Sequence, residues 1–113
     1  MKKVKIIFKI NNNDTNYIYN DIGTINKDLV EFADIDDKYI FDMSLKRIVK
    51  STKDSKIIVD FNKECVIINA LNNQLEFKIK VILREEDEKR YKYKYELEDN
   101  MFEFLLEVIE CQN

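Results

Sequence analysis

The chain has 113 residues, with 19 Lys and Arg against 22 Asp and Glu, a net charge of −3, 45% hydrophobic residues and 36% charged ones. That length fits a single domain, residues 1–113, with one core. The balance excludes a disordered chain and gives no basic surface for nucleic acid or an anionic membrane. No His is present, so Ser-His, Cys-His and His-metal centres are excluded within this chain. Acid–base work would fall to Asp, Glu, Lys, Tyr or Cys. No apolar run is long enough to span a bilayer, and Met1-Lys2-Lys3 is followed by no signal-peptide core. The expectation is a cytoplasmic protein with no membrane partner. Cys65 and Cys111 have no metal-motif spacing and read as free thiols.

One Gly and no Pro leave the turns to Asn and Asp, which tolerate positive φ. They fall at Asn11 to Asp14, Asn20-Asp21, Asn26 to Asp28, Asp36-Asp37, Asp54, Asn62, Asn72-Asn73 and Asp99-Asn100. Between them the chain reads as strands. Lys2 to Ile10 is the first. Thr15 to Ile25 holds one or two, with Gly23 marking a bulge or bend. Leu29 to Asp34 and Lys38 to Met43 are short. Lys46 to Ser51 and Lys56 to Phe61 form a hairpin across Thr52 to Ser55, and Glu64 to Asn69 leads onward. No segment has helical periodicity, and no repeat stands out.

The last third is the most regular. Leu75, Phe77, Ile79, Val81 and Leu83 take one parity and Glu76, Lys78 and Lys80 the other, so one strand face is apolar. Tyr91, Tyr93, Tyr95 and Leu97 repeat the pattern, and Phe102, Phe104, Leu106 and Val108 follow. A turn at Asp99-Asn100 would set Leu97 against Phe102, Tyr95 against Phe104, Tyr93 against Leu106, Tyr91 against Val108 and Lys92 against Glu107. A turn at Asn72-Asn73 would set Ala70 against Leu75, Ile68 against Phe77 and Val66 against Ile79. Around Glu85 to Glu88 a four-residue loop would break the apolar face, so an odd-length loop or a bulge is expected. Consecutive strands with one apolar face stack or close on themselves. The expected fold is all-β, a single antiparallel meander barrel of about 8–10 strands, wide enough for side chains or one small ligand.

The run Leu45-Lys46-Arg47-Ile48-Val49-Lys50 with Lys56-Ile57-Ile58-Val59 resembles the central hairpin of the YwiB-like proteins. The Gly23 strand, Phe32-Ala33-Asp34 and the Asn72 to Val81 strand are similar to that family's early Gly-containing strand, aromatic-x-acidic strand end and long alternating strand. The likeness covers residues 22–81, and the terminal hairpin by topology only. Where the family tends to carry an Arg-x-Gly turn, this chain has Asp60-Phe61-Asn62. The resemblance implies an uncharacterised bacterial domain with a calycin-like, lipocalin-type barrel, and no activity.

Three stretches offer chemistry. Asp34, Asp36, Asp37 and Asp42 carry hard oxygens, yet lack the Gly and spacing of a calcium loop, so a solvated turn is expected and no metal or cofactor. Arg90-Tyr91-Lys92-Tyr93-Lys94-Tyr95 interleaves aromatics with cations, as single-strand binders do. Strand geometry, however, sends the tyrosines and cations to opposite faces, which makes a core face and leaves nucleic acid an unfavoured partner. Phe77, Ile79, Tyr91, Tyr93, Tyr95, Phe102 and Phe104 are the candidate barrel lining, an apolar wall with polar tips suited to a small apolar or amphipathic ligand. The expectation is a non-enzymatic ligand-binding barrel. The alternative is a filled barrel that works through its surface, as a homodimer or with a protein partner; single-stranded nucleic-acid binding and an enzyme using carboxylates such as Asp34 and Asp36, or Tyr, are the less favoured readings. Cys65 is expected to point outward alongside Ile67.

Overall fold

The computed structural model describes residues 1–111. Among them are eleven strands and no helix: β1 (Lys2–Asn11), β2 (Asn16–Asn26), β3 (Leu29–Ala33), β4 (Lys38–Asp42), β5 (Arg47–Ser51), β6 (Ser55–Asp60), β7 (Cys65–Ala70), β8 (Asn73–Lys78), β9 (Lys80–Glu86), β10 (Arg90–Leu97) and β11 (Asn100–Glu110). Their hydrogen-bonded order is β8-β7-β6-β5-β4-β3-β2-β1-β11-β10-β9. The ladders from β2 to β8, from β9 to β11, and between β1 and β11 are antiparallel. The end strands β8 and β9 are consecutive in the chain, joined at Ile79, which is the connectivity of a meander barrel. The expected all-β antiparallel meander is therefore present. The count exceeds 8–10 because the long strand expected between Gln74 and Leu83 is interrupted at Ile79.

The chain divides into two compact units. One holds Met1–Lys2 and Gly23–Lys78; the other holds Lys3–Ile22 and the residues from Ile79 onward. Gly23 is buried, carries no positive φ, and is the point where β2 passes from one unit to the other.

Register builds the core of the first unit in rows. Val30, Phe41, Ile48, Val59, Val66 and Phe77 are successive cross-strand partners from β3 to β8, and all but the half-buried Phe77 are buried. Alternation sends the intervening residues to the opposite face of the sheet. Each fully buried apolar side chain stabilises by about 1.5–3 kcal/mol, so the row is the main reason these short strands hold one register.

The two hairpin registers expected from Asn72-Asn73 and Asp99-Asn100 are each displaced by two residues. The β7–β8 loop is Leu71-Asn72, so Ala70 faces Asn73, Ile68 faces Leu75 and Val66 faces Phe77. The β10–β11 loop is Glu98-Asp99, so Leu97 faces Asn100, Tyr95 faces Phe102, Tyr93 faces Phe104 and Tyr91 faces Leu106. A shift of two keeps every side chain on its face, and apolar alternation alone does not distinguish the two registers. Charge does. The observed register pairs Arg90 with Glu107 at 3.3 Å and Lys94 with Glu103 at 3.7 Å. The expected one would have kept a single such pair, Lys92 with Glu107, and set Lys94 against Leu105 and Glu96 against Glu103; in the structure Lys92 faces Leu105.

Turn chemistry differs too. Asn20-Asp21 lies inside β2. Positive φ falls on Lys27, Lys46, Glu64, Leu71, Asn72 and Glu98, of which only Asn72 is an Asn or Asp. Several Asx residues instead act as side-chain acceptors. Asn12 Oδ1 takes the amides of Asp14 and Thr15. The β4–β5 and β6–β7 loops share one pattern. Asp42 accepts from the amides of Ser44 and Leu45, Asp60 from those of Asn62 and Lys63, and a positive-φ residue, Lys46 or Glu64, closes each loop. The left-handed conformation costs a non-glycine residue about 1–2 kcal/mol. Glu98→Gly is therefore expected to stabilise the protein by about 1 kcal/mol, read as a higher Tm, while Glu98→Ala gives no such rise.

Candidate functional site

Six of the seven candidate lining residues lie in the second unit. Tyr91, Tyr93 and Tyr95 occupy alternate positions of β10, and with Ile79 and Phe104 all are buried. Phe104 packs edge-on to Phe8 with centroids 5.5 Å apart and lies 5.7 Å from Tyr93. Tyr95 stacks on the half-buried Phe102 at 5.1 Å. Phe77 is on β8, in the other unit, opposite Val66. Tyr93 exposes none of its surface and Phe104 only 1%: these rings are covered by protein. The core reading of the tyrosine row holds, and no ring face of the three is open for base stacking.

Burial pushes the Tyr95 hydroxyl above its ordinary pKa. Burial, and then its hydrogen bond to Glu86, does the same to Tyr93. Both stay protonated near neutral pH, the opposite of what a general base requires.

One polar group joins this face that was not singled out in the sequence. The register of β9 against β10 shifts between Lys94 and Tyr95: Leu83 faces Lys94 and Val81 faces Tyr95, leaving Ile82 as the extra residue. A bulge flips the parity of the strand beyond it. Leu83 thereby leaves the tyrosine face, and Arg84 and Glu86 take it, opposite Tyr93 and Tyr91. The Tyr93 hydroxyl donates to Glu86 Oε2 at 2.7 Å. Arg84 grips the same carboxylate through Nε and Nη2 at 3.2 and 3.1 Å, and its guanidinium lies 5.6 Å from the Tyr93 ring centroid. The hydrogen bond to Glu86 also raises Arg84 and keeps it charged. The broken face at Leu83 pointed to an odd-length loop or a bulge near Glu85 to Glu88; the structure has the bulge, earlier in β9 at Ile82. What it carried onto the core face was not read.

Asp34 to Asp37 forms the β3–β4 turn, with the Asp34 amide bonded to the Asp37 carbonyl at 2.9 Å and Ile35 at the tip, 95% exposed. Asp42 sits at the far end of β4. Among the described residues no three His, Cys, Asp or Glu side chains converge as metal ligands do. Cys65 shares the face of Ile67, as expected, yet it is buried. It opens β7 directly after the loop from Asp60 to Glu64, where buried Asp60 is its cross-strand partner. Burial first, then the charges of Asp60 and Glu76, raise its thiol pKa and hold it in the unreactive protonated form. A thiol-alkylating reagent is expected to modify the exposed Cys111 rapidly in the native protein, and Cys65 only in denaturant. Equal rates would contradict this burial.

The outer face of the first unit carries a different feature. Ile40, Val49, Ile58 and Ile67 are successive partners across β4 to β7, opposite in sense to the core row. All four are half-buried. Glu31 and Glu76 continue the row at its two ends, and the parallel row beside it is polar: Lys38, Ser51, Lys56, Asn69 and Gln74. An aliphatic stripe thus crosses four strands on the face away from the core. No family model, no curated protein and no solved structure matches this chain.

Proposed function

We propose that this protein is a non-catalytic interaction module that works through the outer face of its β4–β7 sheet. The carrying observation is the Ile40–Val49–Ile58–Ile67 stripe, four half-buried β-branched residues paired across strands on the face away from that unit's core. Contiguous apolar surface bounded by polar residues is characteristic of protein contact sites. The buried rings Tyr93 and Phe104 support the filled-core side of this reading. The resemblance of residues 22–81 to YwiB-like proteins is in keeping with it, since that family carries no established activity. The test replaces Val49 and Ile58 together by Asp. Affinity capture with wild-type protein, set beside the double variant and beside a folded control, is expected to lose its specific partners only with the stripe variant. A partner set unchanged by the substitution would overturn the proposal.

A second reading keeps the small apolar or amphipathic ligand. It is favoured by one feature: Phe102 and the Arg84–Glu86 pair retain exposure beside the tyrosine row, an apolar ring and a charged tip on one face. Ligand-dependent quenching of tyrosine fluorescence that is lost in Phe102→Ala is the result this reading expects.

A further inference from the structure

We infer that the free edge of β8 pairs with the same edge of a second copy of this chain, in one antiparallel register centred on Phe77. This rests on the interaction-module reading and names its partner. β8 ends the hydrogen-bonded order, with β7 on one side only. An end strand presents a row of N–H and C=O groups to solvent, a ready template for another strand. Which groups face outward follows from the loop. Leu71 and Asn72 both have positive φ, 50° and 66°, the mark of a two-residue type I′ turn. In such a hairpin the flanking pair, Ala70 and Asn73, exchange both bonds. Alternation along the ladder then turns Asn73, Leu75 and Phe77 toward β7 and Gln74, Glu76 and Lys78 toward the free edge.

Two copies must therefore set even-numbered residues against even-numbered ones. Registers that set Glu76 against Glu76 or Lys78 against Lys78 oppose like charges, which is unfavourable. Those that set Gln74 against Gln74 or against Glu76 bring no ion pair. Only one register sets Glu76 against Lys78 of the other copy, twice by symmetry, with Phe77 facing Phe77 on the core-side face. Pairing about a two-fold axis is self-complementary, as a closed dimer requires. The charges that protect this edge against unspecific strand pairing thus select one partner. Leu75, 57% exposed, flanks Phe77 on the same face and loses solvent contact in the pair.

So short an edge predicts a weak, concentration-dependent dimer, in the class of transient contacts. Sedimentation equilibrium of the full chain is expected to show the average mass rising from monomer toward dimer between about 10 µM and 1 mM. Glu76→Lys and Lys78→Glu each create like-charge pairs and are expected to weaken association about tenfold; the double exchange restores it. A monomer throughout, or single variants that associate as the wild type does, would overturn the inference. The stripe variant Val49→Asp/Ile58→Asp is expected to dimerise normally. If it alone abolishes association, the edge inference fails while the outer-face reading stands.

Discussion

Phe104→Ala is expected to destabilise the protein by about 3–5 kcal/mol. The ring is buried between β1 and β10, opposite Ile10 and Tyr93, and touches both Phe8 and Tyr93. Truncation loses the transfer free energy of the ring and leaves a cavity that neighbours on three strands cannot close. Domains of this size are stable by about 5–15 kcal/mol, so the variant retains little. Urea unfolding reads this as a lower midpoint at unchanged slope. Phe102→Ala is the comparison. That ring stacks on Tyr95 but is half-buried, and its loss is expected to cost less than half as much. Equal costs would mean that the aromatic row is not packed as described.

Asp60→Ala is expected to cost about 2–3 kcal/mol. Asp60 is 6% exposed, and its Oδ1 accepts the amides of Asn62 at 3.1 Å and Lys63 at 2.9 Å. Removal strands two donors in a loop already tied to its neighbour through Phe61 N–H to Lys46 O and Asn62 Nδ2 to Leu45 O. Asp42 holds the equivalent place in the β4–β5 loop and accepts one bond more, from the Ser44 hydroxyl at 2.7 Å. Its loop is exposed, so water replaces the lost partner and Asp42→Ala is expected to cost only about 1 kcal/mol. Burial, not the number of hydrogen bonds, sets the order. A larger cost at Asp42 than at Asp60 would contradict it. Partial burial pushes the Asp42 carboxyl up. The Ser44 hydroxyl, the Leu45 and Ser44 amides and the charge of Arg47 outweigh this and hold it below the ordinary carboxylate value. The stability it contributes is therefore complete above the unfolded carboxylate pKa and is lost as pH falls through the lower folded one. Asp42→Asn is expected to flatten that acid limb.

The fold was legible because alternation is a face-level signal, and the faces of β10 and β11 are as read. Register was less so, because a slip of two preserves alternation. The deciding pairs, Arg90 with Glu107 and Lys94 with Glu103, are charge partners on the solvated face. Turn positions misled for a related reason. Asn and Asp mark turns, but here they often accept hydrogen bonds beside the positive-φ residue instead of supplying it, as Asp42 does for Lys46 and Asp60 for Glu64. The Arg84–Glu86 pair was hidden by the Ile82 bulge, which moves every later residue of β9 to the other face. The outer stripe lay in a segment where both parities are apolar, so no sequence pattern separated Ile58 from Val59.

The central claim is that the core is filled by this chain's own side chains and that function lies on the surface. Native mass spectrometry of freshly purified protein tests it most directly. The account predicts the mass of the polypeptide alone, with a dimer population that grows with concentration. Excess mass that disappears on denaturation, and that is lost in Phe102→Ala, would show a ligand among the aromatics and contradict the account.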